Sequence, residues 1–80
     1  MTPREAALAL LADRAEDATV CPSEVARVVA GPDADWRAVM GDVHAAIDQM
    51  MADGVVRLSW KGRGLAARAG PYRIRRPDSG

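Results

Sequence analysis

Val55-Val56-Arg57-Leu58-Ser59-Trp60-Lys61-Gly62-Arg63-Gly64, resumed by Gly70-Pro71-Tyr72-Arg73-Ile74-Arg75, is the stretch on which the fold turns. In its first part Val56, Leu58 and Trp60 alternate with Val55, Arg57 and Ser59, the repeat of a strand with one buried face. After Gly70-Pro71 the alternation restarts, with Tyr72 and Ile74 inward and Arg73 and Arg75 outward. Lys61-Gly62-Arg63-Gly64 supplies a flexible basic turn region between the two strands. The segment reads as a β-hairpin, apolar on one side and cationic on the other.

The same segment holds most of the positive charge. Val55 to Gly80 contains seven basic residues and one acid, whereas Met1 to Gly54 contains four basic residues and ten acids. The blocks cancel to a net charge of zero. A neutral chain made of opposed charge blocks either folds them against each other or offers one of them to a partner.

Upstream of the hairpin the pattern is helical. Trp36, Val39, Met40, Val43, Ile47, Met50 and Met51 recur at helical spacing and cover one broad face. With Asp33 or Asp35 as N-cap and Gly54 as the stop, this third helix has about eighteen residues and a length of roughly 27 Å. Cys21-Pro22-Ser23-Glu24 opens a second helix, with Pro22 in the first position and the Glu24 charge in the first turn. Val25, Val28 and Val29 form its apolar stripe, and Gly31-Pro32 ends it. Thr2-Pro3-Arg4-Glu5 is a capping box, which starts a first helix running from Pro3 to about Ala15. Ala18-Thr19-Val20 leaves room for a brief edge strand. Pro77-Asp78-Ser79-Gly80 reads as a frayed tail, so residues 1–76 form one domain and 77–80 a disordered end.

The order is helix, short strand, helix, helix, strand, basic loop, strand. That is the order of an α+β winged helix-turn-helix, with three helices and a C-terminal β-hairpin as the wing. The stretches Cys21-Pro22-Ser23-Glu24-Val25-Ala26-Arg27, Trp36-Arg37, Asp53-Gly54-Val55, Lys61-Gly62 and Gly70-Pro71-Tyr72-Arg73-Ile74-Arg75 match a known pattern. Together they resemble the small bacterial winged-helix proteins of the domain-of-unknown-function 3253 family, over almost the whole chain. The resemblance implies a winged-helix fold and no established activity. The chain departs from the family pattern at His44, where a basic residue is usual, and at Leu65-Ala66-Ala67, in place of a Val-Asp-Pro turn.

Composition sets further bounds. Of the apolar 49%, sixteen residues are Ala and only Trp36, Trp60 and Tyr72 are aromatic, so the core rests on few large side chains. The single Cys rules out an internal disulfide. No apolar run is long enough to cross a bilayer and no secretory signal is visible, so a cytoplasmic protein without a membrane partner is expected. Arg outnumbers Lys ten to one, a ratio that GC-rich coding also produces, so the arginines by themselves say little about phosphate binding.

Arg57, Lys61, Arg63, Arg68, Arg73 and Arg75 are the candidate nucleic-acid-binding residues. Arg57, Arg73 and Arg75 project from the outward face of adjacent strands, where like charges repel and a phosphate backbone would relieve the repulsion. The alternative is a solvated face balanced by Asp42, Asp48 and Asp53. The third helix offers little for reading bases: opposite its core stripe lie Ala38, Gly41, Asp42, Ala45, Asp48, Gln49 and Ala52. Only Gln49 there is a base-edge reader, with Arg37 and His44 on the flank. Contacts to nucleic acid are therefore expected to be wing-led, to the backbone and of low specificity.

The same small-residue face supports a rival reading, a protein partner or a homodimer packing on the third helix. Gly41 is unexplained by helix propensity and hints at close packing, within the monomer against the second helix or against a partner. Cys21 reads as a small, partly buried residue at a helix entry and His44 as a partly exposed helix residue with no role, a pH sensor at a binding face being its alternative; Trp36 and Trp60 read as core or core-edge anchors, with base stacking as an alternative for Trp60. No catalytic constellation, metal-ligand spacing or cofactor motif is visible, so an enzyme is not expected.

Overall fold

The computed structural model describes residues 1–77. It contains helices α1 (Pro3–Ala12), α2 (Pro22–Ala30) and α3 (Met40–Ala52), and strands β1 (Thr19–Val20), β2 (Arg57–Trp60), β3 (Arg63–Leu65) and β4 (Arg73–Arg75). A 3₁₀ turn, Trp36–Val39, leads into α3. The strands form one antiparallel sheet in the order β1-β4-β2-β3. This α+β arrangement fits a winged helix, and β1 is the brief strand foreseen between the first two helices.

Local chemistry accounts for the helix starts. The Thr2 hydroxyl accepts from the Glu5 amide at 3.1 Å and the Glu5 carboxylate accepts from the Thr2 amide at 2.9 Å, which completes the capping box. Asp35, rather than Asp33, caps the turn before α3, accepting from the Arg37 amide at 3.0 Å. The expected eighteen-residue third helix is divided because its first turn closes i to i+3, from the Ala38 amide to the Asp35 carbonyl, before the α-helical ladder begins.

The first helix stops at Ala12, short of the expected Ala15. Arg14 turns away to bond Glu24 and the Thr19 carbonyl, and the Arg76 guanidinium donates to the carbonyls of Leu11 and Arg14. The Leu11 carbonyl, which also accepts from the Arg14 amide at 3.2 Å, and the Arg14 carbonyl stand at the C-terminal end of the helix, where a cation suits the helix dipole.

The three helices pack on one another, and one face of the sheet closes the core. Ile47, Met50 and Val43 of α3 meet Val25 of α2, Leu11 of α1, and Val20, Leu58 and Ile74 of the sheet, all buried. The register sets Val20, Ile74, Leu58 and Leu65 in one cross-strand row on the inner face. Tyr72 and Ile74 are inward as expected. Trp60 is not: it follows Leu58 on the inner side by alternation but lies 38% exposed, beyond the end of the core. Trp36 is the half-buried edge anchor that the sequence implied, with the guanidinium carbons of Arg37 and Arg27 at 4.6 and 5.1 Å from its ring.

Two expectations are corrected. A Cβ on Gly41 would meet nothing within 4 Å, so this glycine does not mark a close approach to α2. The basic segment between the expected strands is not one long loop: Lys61 (φ +51°) and Gly62 (φ +80°) form a tight two-residue turn, and Arg63–Leu65 is itself a strand. Both central residues adopt the left-handed conformation that a type I′ hairpin needs. Pro77 is exposed and outside regular structure, and the rest of the expected tail, 78–80, lies outside the described residues.

Candidate nucleic-acid interface

Directly paired residues on adjacent strands share a face of the sheet. Arg57 pairs with Arg75, and Ser59 pairs with Arg73, so these three arginines lie on the outer face as expected. Trp60 pairs with Arg63, in the alternation that carries Leu58 and Leu65, so Arg63 belongs to the other face. The six candidate cations therefore do not form one patch.

They also differ in what they already hold. Arg68 donates to both oxygens of Asp48 at 3.1 and 3.0 Å. This fork fastens the segment after β3 to α3 and holds the Asp48 carboxyl below its ordinary range. The charge of Arg68, one of the candidate phosphate contacts, is thus met by a carboxylate of its own chain. Arg73 donates to the Thr19 hydroxyl at 2.6 Å and to the Thr19 carbonyl at 3.4 Å, tying β4 to β1. Arg57 and Arg75 likewise have partners within the molecule. Lys61 and Arg63 are exposed and pair with no carboxylate of the described residues.

Of the three acids expected to balance the patch, Asp48 pairs with one of its members, Arg68. Asp53 takes Arg4 at 2.8 Å and the Gln49 amide at 3.0 Å instead, and its carboxyl is lowered chiefly by the Arg4 bond. Gln49, the only base-edge reader on the exposed face of α3, is thereby occupied. Its neighbours Gly41, Asp42, Ala45 and Ala52 are exposed and offer no donor suited to bases.

Two clusters were not legible in the sequence. His44 Nδ1 lies 2.6 Å from the Tyr72 hydroxyl, close to the Asp48–Arg68 pair. Burial pushes the Tyr72 phenol up to about 12, and burial also lowers the His44 imidazole. On the other side, Glu24 accepts from Arg14 at 2.7 and 3.0 Å and from the Cys21 amide at 2.8 Å. The Arg14 bond, against a smaller opposing effect of burial, brings the Glu24 carboxyl down to about 2. Cys21 is half-buried at the start of α2, as expected, with its sulfur 3.1 Å from the Ser23 hydroxyl.

An open groove of about 480 Å³ lies between α3 and the segment after β3, lined by Asp48, Met51, Ala52, Ala66, Ala67 and Arg68. Its charged groups are the ion pair already described. Among the described residues no three His, Cys, Asp or Glu side chains converge as a metal site would require. No described helix is long and apolar enough to cross a membrane.

Three helices, a small four-stranded antiparallel sheet and a cationic hairpin end together make a small α+β protein whose arrangement is compatible with a winged helix. The chain belongs to the family described as "Protein of unknown function (DUF3253)", which it matches over residues 2–77. A comparison with curated proteins gave no match.

Proposed function

We propose that this protein is a non-catalytic binding module that holds nucleic-acid phosphates with low sequence specificity, and that the hairpin end formed by Lys61 and Arg63 leads the contact. The observation that carries this reading is that these two cations stand exposed on a tight turn, unmatched by any described carboxylate. Free cations on a preorganised turn engage phosphates at little ordering cost. Arg57 and Arg75, on the outer face, add to the field around the hairpin. Low specificity follows from α3, whose Gln49 is held by Asp53 and whose remaining face is small or acidic. A cytoplasmic location goes with this reading, since nucleic acid is met there. A non-catalytic role is supported by the carboxylates at Glu24, Asp48 and Asp53, each committed to an internal arginine.

The test is binding to generic duplex and single-stranded DNA and RNA across a salt series, for the native chain and for Lys61→Glu with Arg63→Glu. Neither side chain supports the core, so the variant is expected to fold normally. Binding should weaken steeply with salt, and the double substitution should weaken it and reduce the log–log salt slope by about 2. Unchanged affinity and slope in the variant, or no binding at low salt, rejects the reading.

A second reading, a homodimer or protein partner on α3, draws on the open space around Gly41 and the exposure of Ala38 and Ala45. It predicts a concentration-dependent assembly that a bulky residue at Gly41 abolishes.

A further inference from the structure

Trp60 is the last residue of β2 and leaves 38% of its surface to solvent, whereas Leu58, two residues earlier on the same side, is 1% exposed. The indole thus lies beyond the core. No described residue makes a hydrogen bond or ring contact with it. Directly across the hairpin stands Arg63, and the two are joined by the tight turn of Lys61 and Gly62. A flat aromatic side chain therefore sits beside two exposed cations, Lys61 next in the chain and Arg63 across the hairpin, on a tight turn.

We propose that Trp60 is a stacking platform for an unpaired base, and that the ligand of the hairpin end is single-stranded nucleic acid. This rests on the phosphate-binding reading above and adds the base to it. Aromatic rings next to cations hold single strands because every base offers a π-face and every link a phosphate. In a duplex those faces are stacked on one another and closed to the indole. Duplex reading through α3 is further opposed by Asp42 on its exposed face and by the engagement of Gln49 with Asp53. A single strand needs only the strip across the hairpin end and avoids those acids.

The experiment compares fluorescently labelled oligothymidylate and oligouridylate with a duplex of equal length, at low salt, for the full chain and for Trp60→Phe, Trp60→Ala and Lys61→Glu with Arg63→Glu. Circular dichroism melts accompany each variant. The expected result is tighter binding of both single strands than of the duplex. Trp60→Ala should lose roughly tenfold in single-strand affinity, within the range for one stacked base. Trp60→Phe should retain most of that affinity, and neither Trp60 change should alter the salt slope. Equal affinity for duplex and single strand, with Trp60→Ala indistinguishable from native, overturns the stacking proposal and leaves phosphate binding standing. Absence of binding to every probe overturns both. Thymidylate bound as well as uridylate assigns recognition to base and phosphate; a uridylate-only result restricts the ligand to RNA and keeps the platform.

Discussion

Glu24→Gln removes one negative charge at the point where three separate parts of the chain meet. The carboxylate receives Arg14 from the end of α1 and the Cys21 amide at the start of α2, while Arg14 also reaches the Thr19 carbonyl in β1. Gln keeps an oxygen for the Cys21 amide, so the change isolates the ion pair from the cap. The carboxyl stands at about 2 against an ordinary 4.5. Taken whole, that difference corresponds to about 3 kcal/mol of stability from Glu24. The side chains of Arg14 and Glu24 are 31% and 35% exposed, so solvent screening reduces the expected loss to about 1–2 kcal/mol. For a domain of this size that lowers Tm by roughly 5–15 °C. Because the folded carboxyl is the stronger acid, its stabilisation is present above 4.5 and disappears as pH falls towards 2. Thermal melts followed by circular dichroism should therefore show a clear gap between native and variant near neutral pH. That gap should close in strong acid, even though Asp48 and Asp53 continue to titrate in both proteins. A gap of the same size at every pH, or none at neutrality, would refute the ion pair as the source of stability.

Gly41→Ala should stabilise the chain by about 0.5–1 kcal/mol, because the added methyl meets nothing and the unfolded chain loses freedom; a lower Tm would show that this face is covered in solution. Tyr72 is the only tyrosine, so its phenolate absorbance can be followed alone, with an expected midpoint near 12. Since burial raises that phenol, its contribution to stability is intact below 10 and lost as pH rises through 12, and a midpoint near 10 would mean that the ring is not buried.

The helix starts and the hairpin were legible in the residues themselves, since each depends on atoms close in sequence. Thr2 and Glu5 close their box over three residues, Pro22 occupies a helix position that needs no amide hydrogen, and alternation placed Leu58, Tyr72 and Ile74 inward. Alternation also placed Trp60 inward, wrongly as to burial, because the period gives the side of a strand and says nothing of where the helices beneath it end. The strand Arg63–Leu65 went unread because Arg63-Gly64-Leu65 is too short to show a period. Its signal was the Lys61-Gly62 pair, whose glycine favours a tight hairpin turn.

Sequence alone thus determined a winged-helix order of elements, an excess of positive charge in the last third, and an α3 face poor in base readers. Tertiary structure decided which cations stay available. Arg68 reaches Asp48 across 20 positions, Arg73 reaches Thr19 across 54, and Arg76 reaches Leu11 across 65. Charge along a chain is fixed by composition, but the partner of each charge is fixed by which surfaces the core draws together, and that leaves Lys61 and Arg63 beside an exposed Trp60.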